Sequence, residues 1–169
     1  MRPTSRELID GIIEVLDERV AAVVEDRWAA SSLRSIRCLL SHLAARVCIE
    51  GQVLHDDNAD LRAVLVLAAG RIDCSSAWPD LAEEIHNALD RAWRQPDAYP
   101  TVESLADENL VLRALVDRLL RQLLVNRVGA DTPADDDLVD LLTEVRAYVR
   151  RQIAREQPMF MPAFAGSVF

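Results

Sequence analysis

The chain has 169 residues, half of them hydrophobic, and a formal net charge of −9 at pH 7. A chain of this length can bury a core without support from a metal or a disulfide. The excess of carboxylates disfavours nucleic acid and an anionic membrane surface as partners, because like charges repel. All nineteen basic residues are arginine. The absence of lysine excludes Schiff-base chemistry, a lysine general base and a phosphate-binding P-loop lysine.

Glycine and cysteine are both scarce. The five glycines are scattered and form no Gly-rich phosphate-binding loop. Three cysteines without regular spacing fit reduced thiols in a cytoplasm better than a disulfide framework. No apolar run approaches the roughly 18–20 residues that cross a bilayer, and the opening sequence MRPTSRELID does not resemble a secretory signal. We therefore expect a soluble cytoplasmic protein.

The first half of the chain has helical periodicity. The sequence TSRE at positions 4–7 is a capping box, in which Thr4 caps the helix and Glu7 reaches back. A second helix is predicted from about 28 to 53. Its apolar stripe consists of Ile36, Leu40, Leu43 and Val47. The polar sequence HDDNADL then interrupts the pattern, and Asp57 or Asn58 is expected to cap a short third helix.

The second half predicts three further helices. Pro79 suits the first position of a helix that runs to about Arg94, and the Pro-rich sequence RQPDAYPT follows as a linker. Thr101 is expected to cap a long helix, and Thr132–Pro133 opens a last helix that ends near Arg155. The predicted core face of the long helix is Leu112, Val116, Leu119 and Leu123. The predicted core face of the last helix is Leu138, Leu141, Leu142, Val145 and Val149.

These elements predict an all-α protein. No segment alternates at period two for long enough to be a strand, and we find no internal repeat that aligns along the chain. About six helices with short connections are expected to pack as one antiparallel bundle over residues 1–156. Residues 157–169 are expected to form an irregular apolar tail, because two prolines disfavour a regular helix there.

The tail sequence EQPMFMPAFAGSVF is unusually apolar. It contains all three phenylalanines of the chain. A disordered tail would be polar, so these side chains are expected to need cover. The candidate partner-binding residues are Met159, Phe160, Met161, Phe164 and Phe169. Docking on the chain's own bundle, on a second subunit or on another protein all remain open.

The sequence SIRCLLSHLAARVCIEGQVLH raises the question of a metal or thiol site. Cys38 and His42 stand four residues apart and share a helix face. Cys48 lies about 15 Å further along the same helix axis and cannot join them. Two protein ligands do not make a structural zinc site. We expect a packed cysteine beside a hydrogen-bonded histidine, and no metal.

Two other motifs contain possible metal ligands. Glu83 and His86 form a Glu-x-x-His pair, but di-iron bundles need this motif twice. The sequence DDNAD has Leu61 where a calcium loop needs glycine. Neither motif predicts a metal.

Seven arginines cluster in the last two helices. They are Arg113, Arg118, Arg121, Arg146, Arg150, Arg151 and Arg155. Cations near helix C-termini stabilise the helix dipole. The alternative is an anion site built from guanidinium groups.

The opening sequence RPTSRELIDGIIEVLDERV, followed by an Arg- and Leu-rich helix with HLAARV, resembles a family of small uncharacterised bacterial helical proteins. Their genes often lie near aminoglycoside-phosphotransferase-like kinases and acyl-CoA dehydrogenases. The resemblance covers about the first third of the chain and carries no catalytic motif. It implies an accessory role near acyl-CoA metabolism and assigns no functional residue.

The sequence therefore predicts a non-catalytic accessory or interaction protein, expected to be a homodimer and to need no cofactor. It would bury apolar helix faces and the tail against a partner. The alternative is a small-molecule-binding or enzymatic bundle with an internal pocket. In that pocket an anionic ligand would be held by an arginine with either the Cys38–His42 pair or the Glu83–His86 pair.

Overall fold

The part of the chain that a computed structural model describes is mostly helical. The structure describes residues 2–75, 78–91, 99–129 and 136–164, without the side chains of residues 74, 75, 126–129, 136 and 161–164. Six α-helices occur in these ranges, namely α1 (Ser5–Val15), α2 (Arg27–Arg46), α3 (Glu50–Ser75), α4 (Pro79–Asp90), α5 (Val102–Gly129) and α6 (Asp136–Phe164). A π-helical turn (Leu16–Val20) and a 3₁₀ turn (Ala21–Val23) follow α1. No strand occurs in these ranges, which confirms the all-α prediction. None of the described helices is long and apolar enough to span a bilayer.

Side-chain caps begin helices α1, α2 and α5. The Thr4 hydroxyl accepts from the Glu7 amide at 3.2 Å, and the Glu7 carboxylate accepts from the Thr4 amide at 2.7 Å. This confirms the predicted capping box. Asp26 caps α2 through its carboxylate. The Thr101 hydroxyl accepts from the Ser104 amide at 3.1 Å and caps α5 as predicted. Each cap satisfies an amide that the first turn of a helix leaves unbonded.

The boundary between α2 and α3 differs from the prediction. The single helix expected over 28–53 is interrupted at residues 47–49, and the sequence HDDNADL lies inside α3. The expectation that Asp57 or Asn58 caps a helix was therefore wrong. Both side chains are buried and bind groups on α5. These partners satisfy the polar atoms, so the helix continues through them.

The chain divides into two compact units. Unit 1 comprises Met1–Gly51 and Ala154–Phe169, and unit 2 comprises Gln52–Ile153. Helices α3 and α6 each contribute residues to both units. In unit 2 a hydrophobic cluster draws on α3, α4, α5 and α6. Its fully buried members include Leu61, Leu65, Ile85, Leu112, Leu119 and Leu141. All four residues predicted as the core face of α5 are buried.

Unit 1 contains α1 and α2 and has a much smaller core. Its buried hydrophobic side chains among the described residues are Ile9, Ala44 and Met159. Arg6 joins the two helices, because its Nη1 donates to the carbonyl of Ala44 at 3.1 Å. Its Nε donates to the carboxylate of Asp10 at 2.8 Å. This hydrogen bond and the nearby negative charge raise the pKa of Arg6.

The last helix is longer than predicted. We expected it to end near Arg155 and to be followed by an irregular tail, but α6 continues through Pro158 to Phe164. Proline lacks the amide that would bond to the carbonyl four residues earlier. Burial of Met159 in unit 1 offsets part of this cost. Residues 165–169 of the predicted tail lie outside the described residues.

The connections in unit 2 are described only in part. Helix α4 begins at Pro79 as predicted. It ends at Asp90, earlier than the predicted Arg94, and residues 92–98 of the predicted linker lie outside the described residues. The predicted start of the last helix at Thr132–Pro133 also falls outside them.

Candidate functional site

The Cys38–His42 pair does not form the packed arrangement that the sequence predicted. Cys38 is exposed, as is Cys48, and neither of these two cysteines forms a disulfide. His42 is half-buried, and its ring makes an edge-to-face contact with Phe160, with centroids 6.5 Å apart. Nowhere in the described ranges do three or more metal-ligating side chains come together.

The predicted tail residues have different environments. Met159 is buried in unit 1, whereas Phe160 is 45% exposed despite its contact with His42. Met161 and Phe164 belong to α6, but their side chains lie outside what the structure describes. Phe169 also falls outside the described residues. Phe160 is therefore one of the exposed aromatic side chains of unit 1, together with Trp28 on α2.

His86 lies in an open depression of unit 2. Its Nε2 is 2.9 Å from the carboxylate of Asp73, and both side chains are about half exposed. The depression has a volume of about 450 Å³. It is lined by Ile72, Asp73, Pro79, Ala82, Glu83, His86 and Asn87. Among these lining residues there are two carboxylates and no arginine, which is not the chemistry that an anionic ligand requires.

Within the described residues, at least four of the seven clustered arginines form ion pairs with carboxylates of the same chain. The pairs are Arg113–Asp57, Arg118–Glu84, Arg121–Asp117 and Arg151–Asp60. The Arg121–Asp117 pair spans one turn of α5, and its side chains are mostly exposed. Guanidinium groups that already bind a carboxylate are less available to an external anion.

An apolar stripe on α1 is left exposed. Leu8, Ile12 and Val15 follow at helical spacing, and each is about half exposed. A second apolar stripe, which contains the buried Ile9 and the half-buried Ile13, faces the interior of unit 1. Helix α1 therefore has more apolar surface than unit 1 covers.

A second exposed stripe lies on α2. It consists of Ile36, Leu39 and Leu43 on α2 and of Val47, the residue that directly follows the helix. Three of these belong to the apolar stripe predicted from the sequence, and Leu39, the most exposed at 67%, extends it. We call this set the α2 stripe, and Leu8, Ile12 and Val15 the α1 stripe. Apolar side chains aligned along one helix face, rather than scattered singly, are typical of interaction surfaces.

The structure also contains a polar site that sequence reasoning missed. Asp57 and Asn58 on α3, with Glu108 and Asn109 on α5, are each 7% exposed or less. We call these four residues the buried polar cluster. Buried carboxylates are costly unless they are paired and hydrogen-bonded. The partners of this cluster therefore determine what it does.

Asp57 receives several donors on one carboxylate oxygen. Arg113 donates to Oδ2 from Nη2 at 2.6 Å and from Nε at 3.0 Å. Asn109 donates to the same oxygen at 2.8 Å, and the Tyr148 hydroxyl lies 3.4 Å away. Asp57 thus connects α3 with both α5 and α6. Its charge is balanced by a guanidinium group that is only about one third exposed.

Glu108 has an equivalent partner on α3. Arg62 Nε donates to Glu108 Oε1 at 2.6 Å, and Arg62 Nη1 donates to the carbonyl of Leu89 at 3.1 Å. Between the two ion pairs, Asn109 donates to Asn58 Oδ1 at 2.7 Å. Both carboxylates are therefore ion-paired across the two helices. This arrangement suits a structural role better than proton transfer or nucleophilic attack.

A local signal for this cluster exists in the sequence. Each helix carries an acid followed by asparagine, Asp57–Asn58 and Glu108–Asn109, with an arginine five residues after the acid. In the sequence alone, the first pair resembles a helix cap.

The chain matches no protein-family model, no curated protein sequence and no solved structure. Its function has to be inferred from the geometry and chemistry of its own residues.

Proposed function

We propose that this chain is a non-catalytic interaction protein that forms a homodimer through the α1 and α2 stripes of unit 1. The observation that carries this proposal is the exposure of the α2 stripe, four large apolar side chains at helical spacing along α2 and its C-cap. An exposed apolar surface of this kind favours association with another protein surface.

The small core of unit 1 supports the proposal. A second chain would remove from water the part of each stripe that remains exposed. Full burial of a leucine side chain contributes about 1.5–3 kcal/mol. Covering Leu39 and Leu43, which are exposed by half or more, would therefore contribute about 1–2 kcal/mol each. The gain over both stripes is large enough to offset part of the cost of association.

Local charges favour a second copy as the occupant. The segment Ser5–Val20 has five carboxylates against two arginines, a net charge of −3. Helix α2 has four arginines and no carboxylate, a net charge of +4. Two chains of net charge −9 repel each other. Placing α1 of one copy beside α2 of the other would bring opposite local charges together and reduce that cost.

Phe160 belongs to the proposed interface. It lies in unit 1, is 45% exposed and contacts His42 on α2. Aromatic side chains contribute strongly to protein interfaces because they bury a large area with few rotatable bonds. We therefore include Phe160 with the two stripes.

The chemistry of unit 2 supports a non-catalytic role. The buried polar cluster has its carboxylates ion-paired to arginines. The Asp73–His86 pair lies in an open depression rather than in a closed pocket. Catalytic groups typically act in sites that exclude water.

We further propose that α3 and α5 pack antiparallel within unit 2. Their ion pairs support this orientation, because the order of the partners reverses. Asp57 pairs with Arg113, whereas Arg62, five residues later on α3, pairs with Glu108, five residues earlier on α5.

The homodimer is tested by sedimentation velocity over a range of protein concentrations. The wild type is expected to sediment as a dimer. Leu39→Asp and Leu43→Asp each place a charge on the α2 stripe and are expected to give a monomer with unchanged helical content by circular dichroism. The matched control is Leu110→Asp on α5, where the side chain is 72% exposed but lies outside both stripes. This control is expected to remain a dimer.

Three results would contradict the proposal. They are a wild type that is monomeric at every concentration, an α2-stripe variant that dimerises as tightly as the wild type, and a control that dissociates as completely as the stripe variants.

A further inference from the structure

Helices α3 and α5 contain the same sequence pattern. DDNADLRAVL at positions 56–65 and DENLVLRALV at positions 107–116 are identical at five of ten positions, with an offset of 51 residues. Three further positions exchange similar residues, aspartate for glutamate and valine for leucine. The expectation that no internal repeat aligns was therefore wrong. The repeat is short and has no glycine or proline to mark it, so it was not evident from periodicity alone.

The two copies also share their pattern of burial. At each of the twelve positions from Asp57 to Ala68, the residue 51 positions later is likewise buried, half-buried or exposed. Leu61 and Leu112, for example, are both fully buried, and Ala63 and Ala114 are both exposed. The equivalent positions of the two helices therefore have equivalent environments.

The contacts between the copies are reciprocal. The carboxylate of the first copy, Asp57, binds the arginine of the second, Arg113, at 2.6 Å. The carboxylate of the second copy, Glu108, binds the arginine of the first, Arg62, at 2.6 Å. Equivalent residues exchanging equivalent contacts are the signature of an isologous, two-fold pairing.

We infer that the segments 56–65 and 107–116 are two copies of one helical element, paired about a local two-fold axis. We infer further that the buried polar cluster sets the register in which the two helices pack. The role of the buried polar cluster in setting this register is independent of the homodimer proposed above, because it involves unit 2 alone.

The register needs a polar determinant because the apolar contacts are not specific. Leu61, Val64, Leu65 and Ala68 form one buried face. A shift of α3 along α5 by one helical turn, about 5.4 Å, would still place apolar side chains against apolar side chains. The same shift would separate both carboxylates from their arginines and leave them buried without a counter-charge. Polar residues in otherwise apolar helix contacts fix register in the same way in coiled coils.

The symmetry is broken at the centre of the pairing. Asn58 donates to the carbonyl of Leu105, whereas Asn109 donates to Asn58 and Asp57. Tyr148 on α6 approaches Asp57. These differences follow from the different surroundings of the two copies and leave both ion pairs intact.

The register is tested by pulsed electron–electron double resonance between spin labels at Ala63 and Ala114. The full chain is used with its three cysteines replaced by serine. The unmutated cluster is expected to give one narrow distance. A variant with leucine at all four positions of the buried polar cluster is expected to give a broad distribution, or a second distance shifted by about one helical turn. The matched control, Arg118→Met with Glu84→Gln, removes an exposed ion pair and is expected to keep the narrow distance.

A single unchanged distance in the leucine variant would overturn the inference. If that variant does not fold, Asp57→Asn with Glu108→Gln keeps the side-chain volumes and is measured with the same labels. An unchanged narrow distance in this milder variant would then overturn it. The two-fold relationship has its own readout. Arg62→Met and Arg113→Met are expected to lower the urea midpoint by similar amounts, and a shift in only one of them would contradict equivalence of the copies.

Discussion

Arg113 on α5 donates two hydrogen bonds to the same carboxylate oxygen of Asp57 on α3, at 2.6 and 3.0 Å. Asp57 is almost completely buried, and Arg113 is about one third exposed. The positively charged guanidinium group of Arg113, which is partly hydrated, therefore lies against the buried negative charge of Asp57. Such a pair does not by itself add much stability, but loss of one partner is costly because the other charge stays buried.

Arg113→Met is expected to lower the free energy of unfolding by about 3 kcal/mol, at the lower end of the range for broken buried pairs. The expected loss is at this end because Arg113 is partly exposed. Urea denaturation followed by circular dichroism measures it. Arg121→Met is the matched control on the same helix, since Arg121 pairs with Asp117 at the surface. Its expected effect is below about 0.5 kcal/mol. Equal losses in the two variants would show that Asp57 does not depend on Arg113.

The core of unit 2 gives a second prediction. Leu119 is fully buried in the hydrophobic cluster, so Leu119→Ala removes apolar contacts and leaves a cavity. We expect a loss of about 2–5 kcal/mol in the free energy of unfolding. Leu110→Ala on the same helix is the control, because its side chain is mostly exposed. The control is expected to stay within about 0.5 kcal/mol of the wild type. A loss for Leu119→Ala as small as that of the control would be inconsistent with this core.

The capping box of α1 gives a third prediction. Thr4→Ala removes the hydroxyl that accepts from the Glu7 amide. It is expected to lower the free energy of unfolding of unit 1 by about 1 kcal/mol. Hydrogen exchange of the first-turn amides of α1 measures this change locally. In Ser5→Ala, the control, the capping hydroxyl is retained. If protection of the first-turn amides is the same in Thr4→Ala as in the wild type, the cap does not stabilise the helix.

The features that could be predicted from the sequence are local ones. The caps at Thr4 and Thr101 depend on residues three positions apart, and the core faces of α5 and α6 depend on periodicity within one helix. The structure agrees with these predictions because their physical causes lie within a few residues of each other.

The features that could not be predicted depend on distant partners. Asp57 and Asn58 resemble cap residues until their partners on α5, about 50 residues away, are known. The same limit applies to α2, because an apolar stripe does not indicate which element will cover it. Leu43 was placed on such a stripe from the sequence, yet unit 1 leaves it about half exposed. The candidate interface follows from that exposure and the buried polar cluster from tertiary contacts.

The end of α6 gives the last prediction, because the sequence predicted an irregular tail where the helix continues. Pro158 lies inside α6, where proline lacks a hydrogen-bond donor and its ring crowds the preceding turn. Pro158→Ala restores the donor and introduces the best helix former. The gain is reduced because alanine makes the unfolded chain more flexible. We therefore expect an increase of about 2 kcal/mol in the free energy of unfolding.

The matched control for this change is Pro79→Ala, at the first turn of α4. At this position an amide would have no partner within the helix, so proline loses no hydrogen bond, and its fixed φ favours the helix. The same substitution is therefore expected to lower the free energy of unfolding by about 0.5 kcal/mol. Urea denaturation measures both changes. An increase in the free energy of unfolding for Pro158→Ala, together with a decrease for Pro79→Ala, would support a helix that runs through Pro158. A loss of stability in both variants is what an irregular tail would give, since alanine would then act on the unfolded chain alone.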